Sequence, residues 1–426
     1  LLNRRFKEMK HKSQILLLLI LAMLTQNALA QEIAKFELVF DNDLKNAVIS
    51  VPVNGLDYNT DAGELVLYEV SSDKEELIPG QLETGHVSRY WFLLEGMTNI
   101  NTKKTFVLKQ EETQRSNKKV TLKKDHEDLS FQINKKPVLS YRHAITYPPE
   151  NIDPLYKRSG YIHPLFSPGG ALLTRIQPKD HYHHYGIWGP WTKTYINDRE
   201  VDFWNLKKGH GTVKFAGFLS ETEGEVYSGF KALQQHIDFG AKGPDQVAMN
   251  EMLDVRVWNI PDDVYVIDYT TSINSPLENG IMLNAYRYGG GIGFRATEKW
   301  HKDNCTVVTS EGKTRADADG SLARWCMVEG ESETEEGRSG ILFMSHPSNR
   351  MHPEPMRVWP GDGNRGRGDI FFEFTPIRHE DWKLKPNQNY TLKYRMVVFD
   401  GKMDVETAEM YWNSFAKNPA ADFLDK

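Results

Sequence analysis

Alternation of apolar and polar residues with a period of two recurs along the chain and constrains its fold more than any other feature. In "KFELVF" it places Phe36, Leu38 and Phe40 on one face, and "LSFQI", "TLKYRMVVF" and "DIFFEFTPI" follow the same pattern. Because successive side chains of a strand point to opposite faces of a sheet, these segments predict strands with one buried face. Turn signals such as "PVNG", "SPGG" and "GDGN" separate them.

The one strong helical pattern lies near the end of the chain, in "DVETAEMYWNSFAK". Apolar residues recur there at helical spacing, at Val405, Ala408, Tyr411, Trp412 and Phe415. Asp404 precedes them and is placed to cap the first turn. The sequence therefore predicts an all-β fold, with a small N-terminal β-domain followed by a large β-sandwich that a C-terminal helix closes.

A polar stretch at residues 110–119, "QEETQRSNKK", interrupts the strand pattern and contains no aromatic residue. We interpret it as a domain boundary, with a small β-domain over residues 31–115 and the large sandwich over residues 116–426. The alternative is that this stretch is the tip of a long exposed hairpin.

Residues 1–30 have the features of a secretory signal peptide preceded by a mis-chosen start. Basic residues follow Met9, the apolar run "ILLLLILAML" comes next, and Ala28-Leu29-Ala30 is typical of a cleavage site after Ala30. No later stretch approaches the ~20 apolar residues of a spanning helix. We therefore expect a periplasmic or extracellular protein without membrane insertion.

The charge of the chain argues against one class of partner. Without residues 1–30 the chain keeps 47 of its 52 Lys and Arg and 57 of its 58 Asp and Glu, which gives a net charge of −10. Nucleic acids and anionic membrane surfaces repel an acidic chain, so neither is an expected partner.

The two cysteines, Cys305 and Cys326, flank a segment that is strand-like at both ends with a turn in its middle. A symmetric hairpin centred between residues 315 and 316 would place them opposite each other, where a disulfide forms in an oxidising compartment. Two buried free thiols are the alternative.

Histidines are concentrated in one part of the chain. Six of the thirteen that follow residue 30 lie within 68 residues: His143, His163, His181, His183, His184 and His210. If "DHYHHYGIW" is a strand, His181 and His183 share one face and His184 takes the other. This excess marks the region as a candidate site.

A metal centre is one interpretation of these histidines. Two imidazoles on one face of a strand suit zinc or another transition metal, and His181 and His183 have this spacing. His210, His163 or Asp202 would then supply the third ligand.

Proton chemistry without a metal is another interpretation. Imidazole titrates near neutral pH, and Asp180 or Asp202 would orient a ring by accepting its second N–H. Trp188, Trp191 and Trp204 offer apolar faces that stack on sugar rings. The structural alternative is that the tryptophans belong to the core and each histidine bonds a backbone carbonyl.

Two later segments carry polar residues suited to sugar binding. In "NAYRYGGGIGFRAT", Arg287 and Arg295 flank a glycine run that no helical pattern follows, which excludes a dinucleotide loop and favours a bulge or a close ligand approach. The proline-rich loop at residues 345–361 carries His346 and Arg350. Surface arginines on a hairpin are the alternative for the first segment.

The segments "GYIHPLFSPGG", "DHYHHYGIW", "DFW" and "GHG", with "YGGGIGFRAT", "SHPSNRMHPEP" and "YRMVVFDG", resemble an uncharacterised exported bacterial family that often carries the label "methane oxygenase PmoA". The resemblance spans roughly residues 33–415. It implies a role in carbohydrate metabolism, and the large β-domain is similar to the β-supersandwich of sugar mutarotases. Where this family usually has Arg, the chain has Tyr185, which puts an anion-binding role of that position in doubt. The label itself does not transfer, because a membrane oxygenase subunit needs spanning helices that this chain lacks.

We therefore predict an exported carbohydrate-active enzyme that uses histidines for acid/base chemistry in hydrolysis, elimination or isomerisation. The predicted proton-transfer residues are His183, His184 and His346. Predicted substrate-binding residues are His163, Asp180, Trp188, Trp204, Arg287, Arg295 and Arg350. No cofactor is expected. Two alternatives stay open: an oxidoreductase or hydrolase with a transition metal such as zinc at His181, His183 and His210, and a glycan-binding protein without catalysis.

Overall fold

The fold is built almost entirely from β-strands. The computed structural model describes residues 31–72, 74–112, 120–240, 243–260 and 263–424. Among these residues there is one α-helix, α1 (Val405–Ala416), and three short 3-10 helices, Thr60–Ala62, Pro154–Tyr156 and Leu206–Lys208. The all-β fold class predicted from the sequence is confirmed. The predicted signal peptide lies outside the described residues.

The strands follow one another in chain order. Before residue 113 they are β1 (Gln31–Val39), β2 (Leu44–Pro52), β3 (Glu64–Ser71), β4 (Lys74–Ile78), β5 (Gly80–Glu83), β6 (Arg89–Thr98) and β7 (Lys103–Glu111). After residue 119 they are β8 (Val120–Lys124), β9 (Asp128–Ile133), β10 (Lys136–Arg142), β11 (Tyr161–Leu165), β12 (Ile187–Trp188), β13 (Thr194–Ile196), β14 (Arg199–Val201), β15 (Gly211–Glu223), β16 (Tyr227–Asp238), β17 (Gln246–Trp258), β18 (Val264–Asn274), β19 (Ile281–Leu283), β20 (Ile292–Arg295), β21 (Cys305–Thr309), β22 (Leu322–Ala323), β23 (Trp325–Glu331), β24 (Arg338–Ser345), β25 (Glu354–Val358), β26 (Phe371–Phe374), β27 (Trp382–Leu384), β28 (Tyr390–Asp400) and β29 (Asp422–Leu424).

Strands β1 to β7 form two sheets, one in the order β29-β1-β7-β3-β4 and one in the order β2-β6-β5. Their apolar side chains, including Phe36, Phe92 and Phe106, pack into a core of their own. The last strand, β29, completes the first sheet by pairing antiparallel with β1. Most of the predicted boundary stretch, residues 113–119, lies outside the described residues.

The rest of the chain forms two large sheets and a small one. An eight-stranded sheet runs β15-β16-β17-β18-β28-β24-β23-β21, and a nine-stranded sheet runs β22-β25-β26-β20-β12-β11-β10-β9-β8. A four-stranded sheet has the order β14-β13-β19-β27. Side chains from both large sheets share the largest apolar core, so the nine-stranded sheet has one face on this core. The candidate site lies next to strands of the same sheet.

Period-two burial explains why these segments form half-buried strands. In β18 each of Ile267, Tyr269, Thr271 and Ile273 is buried and separated by a partly exposed residue. The alternation matches the pleat of a sheet with one face on the core. Strand β20, in contrast, is buried along its whole length, as expected for a strand that neighbours cover on both faces.

Helix α1 begins and packs as its sequence predicts. The Asp404 carboxylate accepts a hydrogen bond of 2.6 Å from the backbone N–H of Thr407, a cap that stabilises a helix by about 1 kcal/mol. Tyr411, Trp412 and Phe415 are buried in a core that also contains Val48 of β2. The helix therefore joins the N-terminal strands to the eight-stranded sheet.

Of the two alternatives for the cysteines, the structure has the buried free thiols. In the register of β21 and β23, Cys305 lies opposite Gly330, and Cys326 lies opposite Thr309. Both cysteines are buried free thiols. The hairpin is not symmetric, because the chain turns tightly after Thr309 and then runs as a loop to β22.

The glycine run at residues 289–291 approaches protein rather than ligand. A Cβ on Gly290, whose φ is +85°, would lie 2.0 Å from the ring of Trp191, and Trp191 is fully buried in the main core. The group that approaches the backbone at Gly290 is therefore a tryptophan of the core.

No helix within the described ranges is long and apolar enough to cross a membrane.

Candidate active site

The histidine-rich segment forms two consecutive turns and not a strand. The N–H of His181 bonds the carbonyl of Pro178 at 2.8 Å, and the N–H of His184 bonds the carbonyl of His181 at 3.0 Å. An antiparallel bridge between Ile176 and Tyr185 closes this loop at its base. Regular strand structure resumes only at β12.

Because the backbone turns, the three imidazoles lie against one another and not on opposite faces. Ring centroids are 4.7 Å apart for His181 and His184, 4.8 Å for His183 and His184, and 5.5 Å for His181 and His183. His184 is fully buried beneath the other two. The turns therefore bring together three imidazoles that a strand would have placed on two faces.

Aromatic side chains from distant parts of the chain surround the imidazoles. His184 stacks on Trp204 at 5.5 Å and lies 5.1 Å from Phe371. His181 contacts Trp359, and Trp204 contacts Tyr288, each at 4.9 Å. The predicted residue Trp188 is buried 5.6 Å from His184. The cluster thus unites the histidine turns with the ends of β25 and β26.

Trp204 is held in place by a carboxylate. Asp202 is buried and accepts hydrogen bonds from the backbone N–H groups of Trp204 and Asn205, at 3.0 and 2.8 Å. Its second oxygen accepts from Lys208 Nζ at 2.8 Å. Asp202 is therefore occupied in shaping its own loop and orients none of the three imidazoles.

Asp180 forms the hydrogen bond to histidine that the sequence analysis considered. Its Oδ2 lies 2.6 Å from His181 Nδ1 and also accepts from Arg295 Nη2 at 3.2 Å. Since a carboxylate accepts only, His181 donates its Nδ1 proton, and in the neutral form of the ring Nε2 is the acceptor. Arg295 is fully buried and stacks over Trp359, with 4.7 Å between its guanidinium carbon and the ring centroid.

The charges at this point keep Asp180 ionised. Burial alone would raise the pKa of Asp180, but the hydrogen bond from His181 and the positive charge of Arg295 outweigh it and hold the pKa well below its usual range. Burial and the neighbouring charge of Arg175 lower the pKa of Arg295 to about 10. The guanidinium is therefore still charged at neutral pH.

His163, His183 and His184 are neutral at neutral pH. Burial, and then the neighbouring His181, lowers the pKa of His183 to about 3. Burial, and then His183, lowers the pKa of His184 well below its usual value. His163 has a pKa of about 4 for the same first reason, with Arg142 adding to it.

A cleft of about 890 Å³ opens beside Asp180. Its wall includes His163, Arg175 and Asp369. His163 Nδ1 lies 2.9 Å from the hydroxyl of Thr174, and Arg175 pairs with Asp369 at 3.0 Å. The same Asp369 lies 3.6 Å from Arg295. Asp180 and Asp369 thus both line the cleft and both lie next to the buried guanidinium of Arg295.

The remaining predicted residues lie apart from the imidazoles. His346 contacts Phe415 of α1 and the hydroxyl of Ser348. Arg350 stacks over Trp382 and pairs with Glu380 at 3.8 Å. Neither shares a contact with the histidine turns in the described part of the chain, and their predicted roles stay predictions.

Two further predicted residues lie at the edge of the region. Arg287 is exposed, with its guanidinium 5.3 Å from the ring of Tyr288, so it borders the cluster. His210 is partly buried and contacts neither His181 nor His183 within the described residues. Within the described ranges, no group of three or more His, Cys, Asp or Glu side chains has the geometry to hold a metal ion.

Four residues of the region did not emerge from the sequence: Arg175, Tyr288, Trp359 and Asp369. The segment "RVWPGDGNRGRGDI" contains a signal for two of them, because its glycine- and arginine-rich loop begins after Trp359 and ends before Asp369. Loops of that composition between two strands often border sites. Nothing in the sequence indicated that this loop faces the histidine turns.

Taken together, the strands and the site define an all-β protein with a histidine–aspartate pair supported by a buried arginine at the edge of a cleft. The chain belongs to a family of unknown function, DUF6807, whose profile matches residues 128–413. No curated protein matches the chain.

Two solved structures from Enterococcus faecalis are similar in fold. One is described as a protein in the glycosyl hydrolase family 38, with a TM-score of 0.48, 9% identity and 93% of this chain covered. The other is described as an alpha-mannosidase, with a TM-score of 0.44, 9% identity and the same coverage. The chain spans about half the length of each, 49% and 47%.

Proposed function

We propose that this protein is an exported carbohydrate-active enzyme in which His181 transfers protons to and from a sugar bound in the cleft beside Asp180. The observation that carries the proposal is the 2.6 Å hydrogen bond between His181 and Asp180, because Asp180 lines that cleft. A base held by an orienting carboxylate next to a cavity is the arrangement used for proton transfer. Export is inferred from the signal-peptide features of residues 1–30.

The chemistry follows from the tautomer of His181. With its Nδ1 proton donated to Asp180, the ring has a lone pair on Nε2 that accepts a proton from a sugar hydroxyl, from a water, or from a carbon next to a carbonyl. The imidazolium that forms is stabilised by the ionised Asp180, and it returns the proton to the product. Hydrolysis, elimination and isomerisation all use such a step.

The surroundings of the pair support a sugar as substrate. The cleft has the volume of a small-molecule site, and its wall alternates hydrogen-bond donors and acceptors, including Arg175, Asn364 and Asp369. Trp359 and Tyr288 add aromatic rings beside the imidazoles. Hydroxyl groups need the first feature, and the apolar face of a pyranose ring needs the second.

In this proposal the sequence-based roles of His183 and His184 change. Both are neutral at neutral pH, and His184 is fully buried. They therefore position His181 and pack with the aromatic side chains around the imidazoles. His163, on the wall of the cleft, is a substrate-binding residue. His346, which packs on α1, takes no part in the proton transfer.

The test compares wild type with His181→Ala, Asp180→Asn and the control His126→Ala on a panel of oligosaccharides that cover the common pyranose linkages. His126 has 89% of its side chain exposed and lies in the turn before β9. We expect His181→Ala to lose about 10²–10⁴-fold in kcat, the contribution of a general acid or base. Asp180→Asn should lose kcat with little change in KM, and His126→Ala should behave as wild type.

Two outcomes contradict the proposal. Turnover by His181→Ala at the wild-type rate would remove the proposed base. Saturable binding of a glycan that is recovered unchanged would instead make the protein a glycan-binding protein without catalysis.

A further inference from the structure

The loop that joins β10 to β11 exposes an unusual amount of apolar surface. Within eleven residues it presents Ile145 at 43%, Tyr147 at 63% and Leu155 at 38% exposure. Single exposed apolar residues are common on protein surfaces, but several on one short segment indicate a binding surface.

This loop is held rigidly. The backbones of Thr146 and Arg158 pair across its base with hydrogen bonds of 2.9 and 3.2 Å. The hydroxyl of Thr146 also bonds the hydroxyl of Tyr161 of β11 at 2.5 Å. Near the end of the loop, Asp153 caps the 3-10 turn Pro154–Tyr156 by accepting from the N–H of Leu155 at 3.0 Å.

The loop is also tied to the histidine turns. The hydroxyl of Tyr185, the residue after His184, donates a hydrogen bond to the backbone carbonyl of Tyr156. The same hydroxyl accepts from Gln177 Nε2 at 2.9 Å. The position of Tyr156 relative to the imidazoles is therefore fixed by a buried side chain.

Aromatic rings lead from the loop to the imidazoles without a break. The Tyr156 ring centroid lies 5.5 Å from that of Tyr182 and 6.5 Å from that of His183, to which it is nearly parallel, with 16° between the planes. His183 in turn contacts Trp204 at 5.2 Å. Tyr156 and Tyr182 are both partly exposed, so their rings are available to a ligand at the surface.

We propose that Tyr156 and Tyr182 form a sugar-binding subsite beside the histidine turns, so that the substrate is an oligosaccharide or a glycan chain and not a monosaccharide. The inference rests on the proposed function. One sugar unit occupies the cleft at Asp180, and the neighbouring unit lies on the tyrosines on the other side of His181 and His183. Aromatic rings bind the apolar faces of sugars and need few specific polar contacts to do so. This kind of binding suits the repeated units of a glycan chain.

The experiment measures binding to an array of defined mono-, di-, tri- and tetrasaccharides with wild type, Tyr156→Ala, Tyr182→Ala and Tyr156→Phe. We expect wild type to bind glycans of two or more units more tightly than their single units. Each alanine variant should lose about tenfold in affinity for the longer glycans and keep its affinity for the monosaccharides. Tyr156→Phe should retain wild-type binding, because stacking needs the ring and not the hydroxyl.

Tyr195→Ala is the matched control, because Tyr195 lies on β13 and its hydroxyl bonds Glu200 at 3.2 Å, outside the loop. Equal affinities of wild type and the two alanine variants for all chain lengths would overturn the subsite. If His181-dependent turnover were found together with this result, the proposed function would stand and only the subsite would fail. If no glycan were bound or turned over, both would fail.

Discussion

Arg295 Nη2 lies 3.2 Å from Asp180 Oδ2, and through this contact a fully buried cation supports a carboxylate at the surface of the cleft. Asp369, also buried, lies 3.6 Å from the same nitrogen. The guanidinium is thus the common partner of two acids, and the position of the histidine–aspartate pair depends on it.

Replacing Arg295 should therefore destabilise the fold. Arg295→Gln leaves Asp369 with less compensation in a buried position, and we expect the free energy of unfolding to fall by about 2–4 kcal/mol. Arg287→Gln is the control, because Arg287 is exposed, and it should change stability by less than about 0.5 kcal/mol. Urea denaturation followed by tryptophan fluorescence measures both, and equal midpoints would contradict the role given to Arg295.

Glu354 should make stability depend on pH. It is fully buried between the hydroxyls of Ser345 and Tyr394, which donate hydrogen bonds at 2.7 and 2.8 Å. Burial raises its pKa to about 7, although these bonds and one from Asn349 act against it. The pKa of Glu354 is therefore higher in the folded protein than in the unfolded chain. Its protonated form stabilises the fold fully below about pH 4.5, and this contribution to the free energy of unfolding is lost as the pH rises through 7.

The variant Glu354→Gln isolates this effect. Between pH 5 and pH 8, the free energy of unfolding of the wild type should fall by on the order of 3 kcal/mol relative to that of the variant. The buried Glu373, whose pKa is also raised by burial, remains in both proteins and cancels in the comparison. A difference that is constant with pH would show that Glu354 is ionised in the folded state throughout.

Gly290 should tolerate no side chain. In Gly290→Ala the new Cβ would lie 2.0 Å from the Trp191 ring at a φ of +85°, and we expect a loss of about 3 kcal/mol or more. Gly366→Ala is a matched control with a φ of +84° and no atom within 4 Å of the new Cβ. It should lose only about 1 kcal/mol of stability, from backbone strain alone. Thermal melting of both variants therefore distinguishes the cost of the contact with Trp191 from the cost of the strained backbone.

The two thiols should be unreactive in the folded protein. Burial raises the pKa of the Cys305 thiol to about 12 and raises that of Cys326 further, with the neighbouring Cys305 adding to it. Thiolate, and with it reactivity, is therefore scarce at neutral pH. We expect a thiol reagent to label neither residue in buffer and both in denaturant, and the detection of a disulfide by mass spectrometry would contradict the register of β21 and β23.

The strands and the helix were predictable because each is encoded by a local period. The alternation in β18 and the cap at Asp404 required no knowledge of the rest of the chain. The histidine turns were not predictable in the same way, since three imidazoles two or one residues apart fit a strand as well as a turn. What decides for the turn is the hydrogen bonding around Pro178 and the bridge from Ile176 to Tyr185.

Much of the site depends on contacts between residues far apart in the chain. Asp180 and Arg295 are separated by 115 positions, and Trp359 and Asp369 reach them from a loop that the sequence showed only as rich in glycine and arginine. The disulfide alternative does not hold for a related reason. It assumed a symmetric hairpin, whereas the chain between β21 and β23 leaves the sheet so that Arg315 can bond the carbonyls of Trp359 and Asp369.

The pairing of β29 with β1 has a consequence for how the protein is made. The first sheet places Lys35 opposite Leu424 and Glu37 opposite Asp422, so β1 leaves the ribosome early and one of its edges is covered only after β29 has been synthesised. Until then one edge of β1 is uncovered, and open edges of this kind invite pairing with other chains. Loss of β29 by proteolysis would recreate that edge, and the resulting protein should self-associate even though its candidate site is intact.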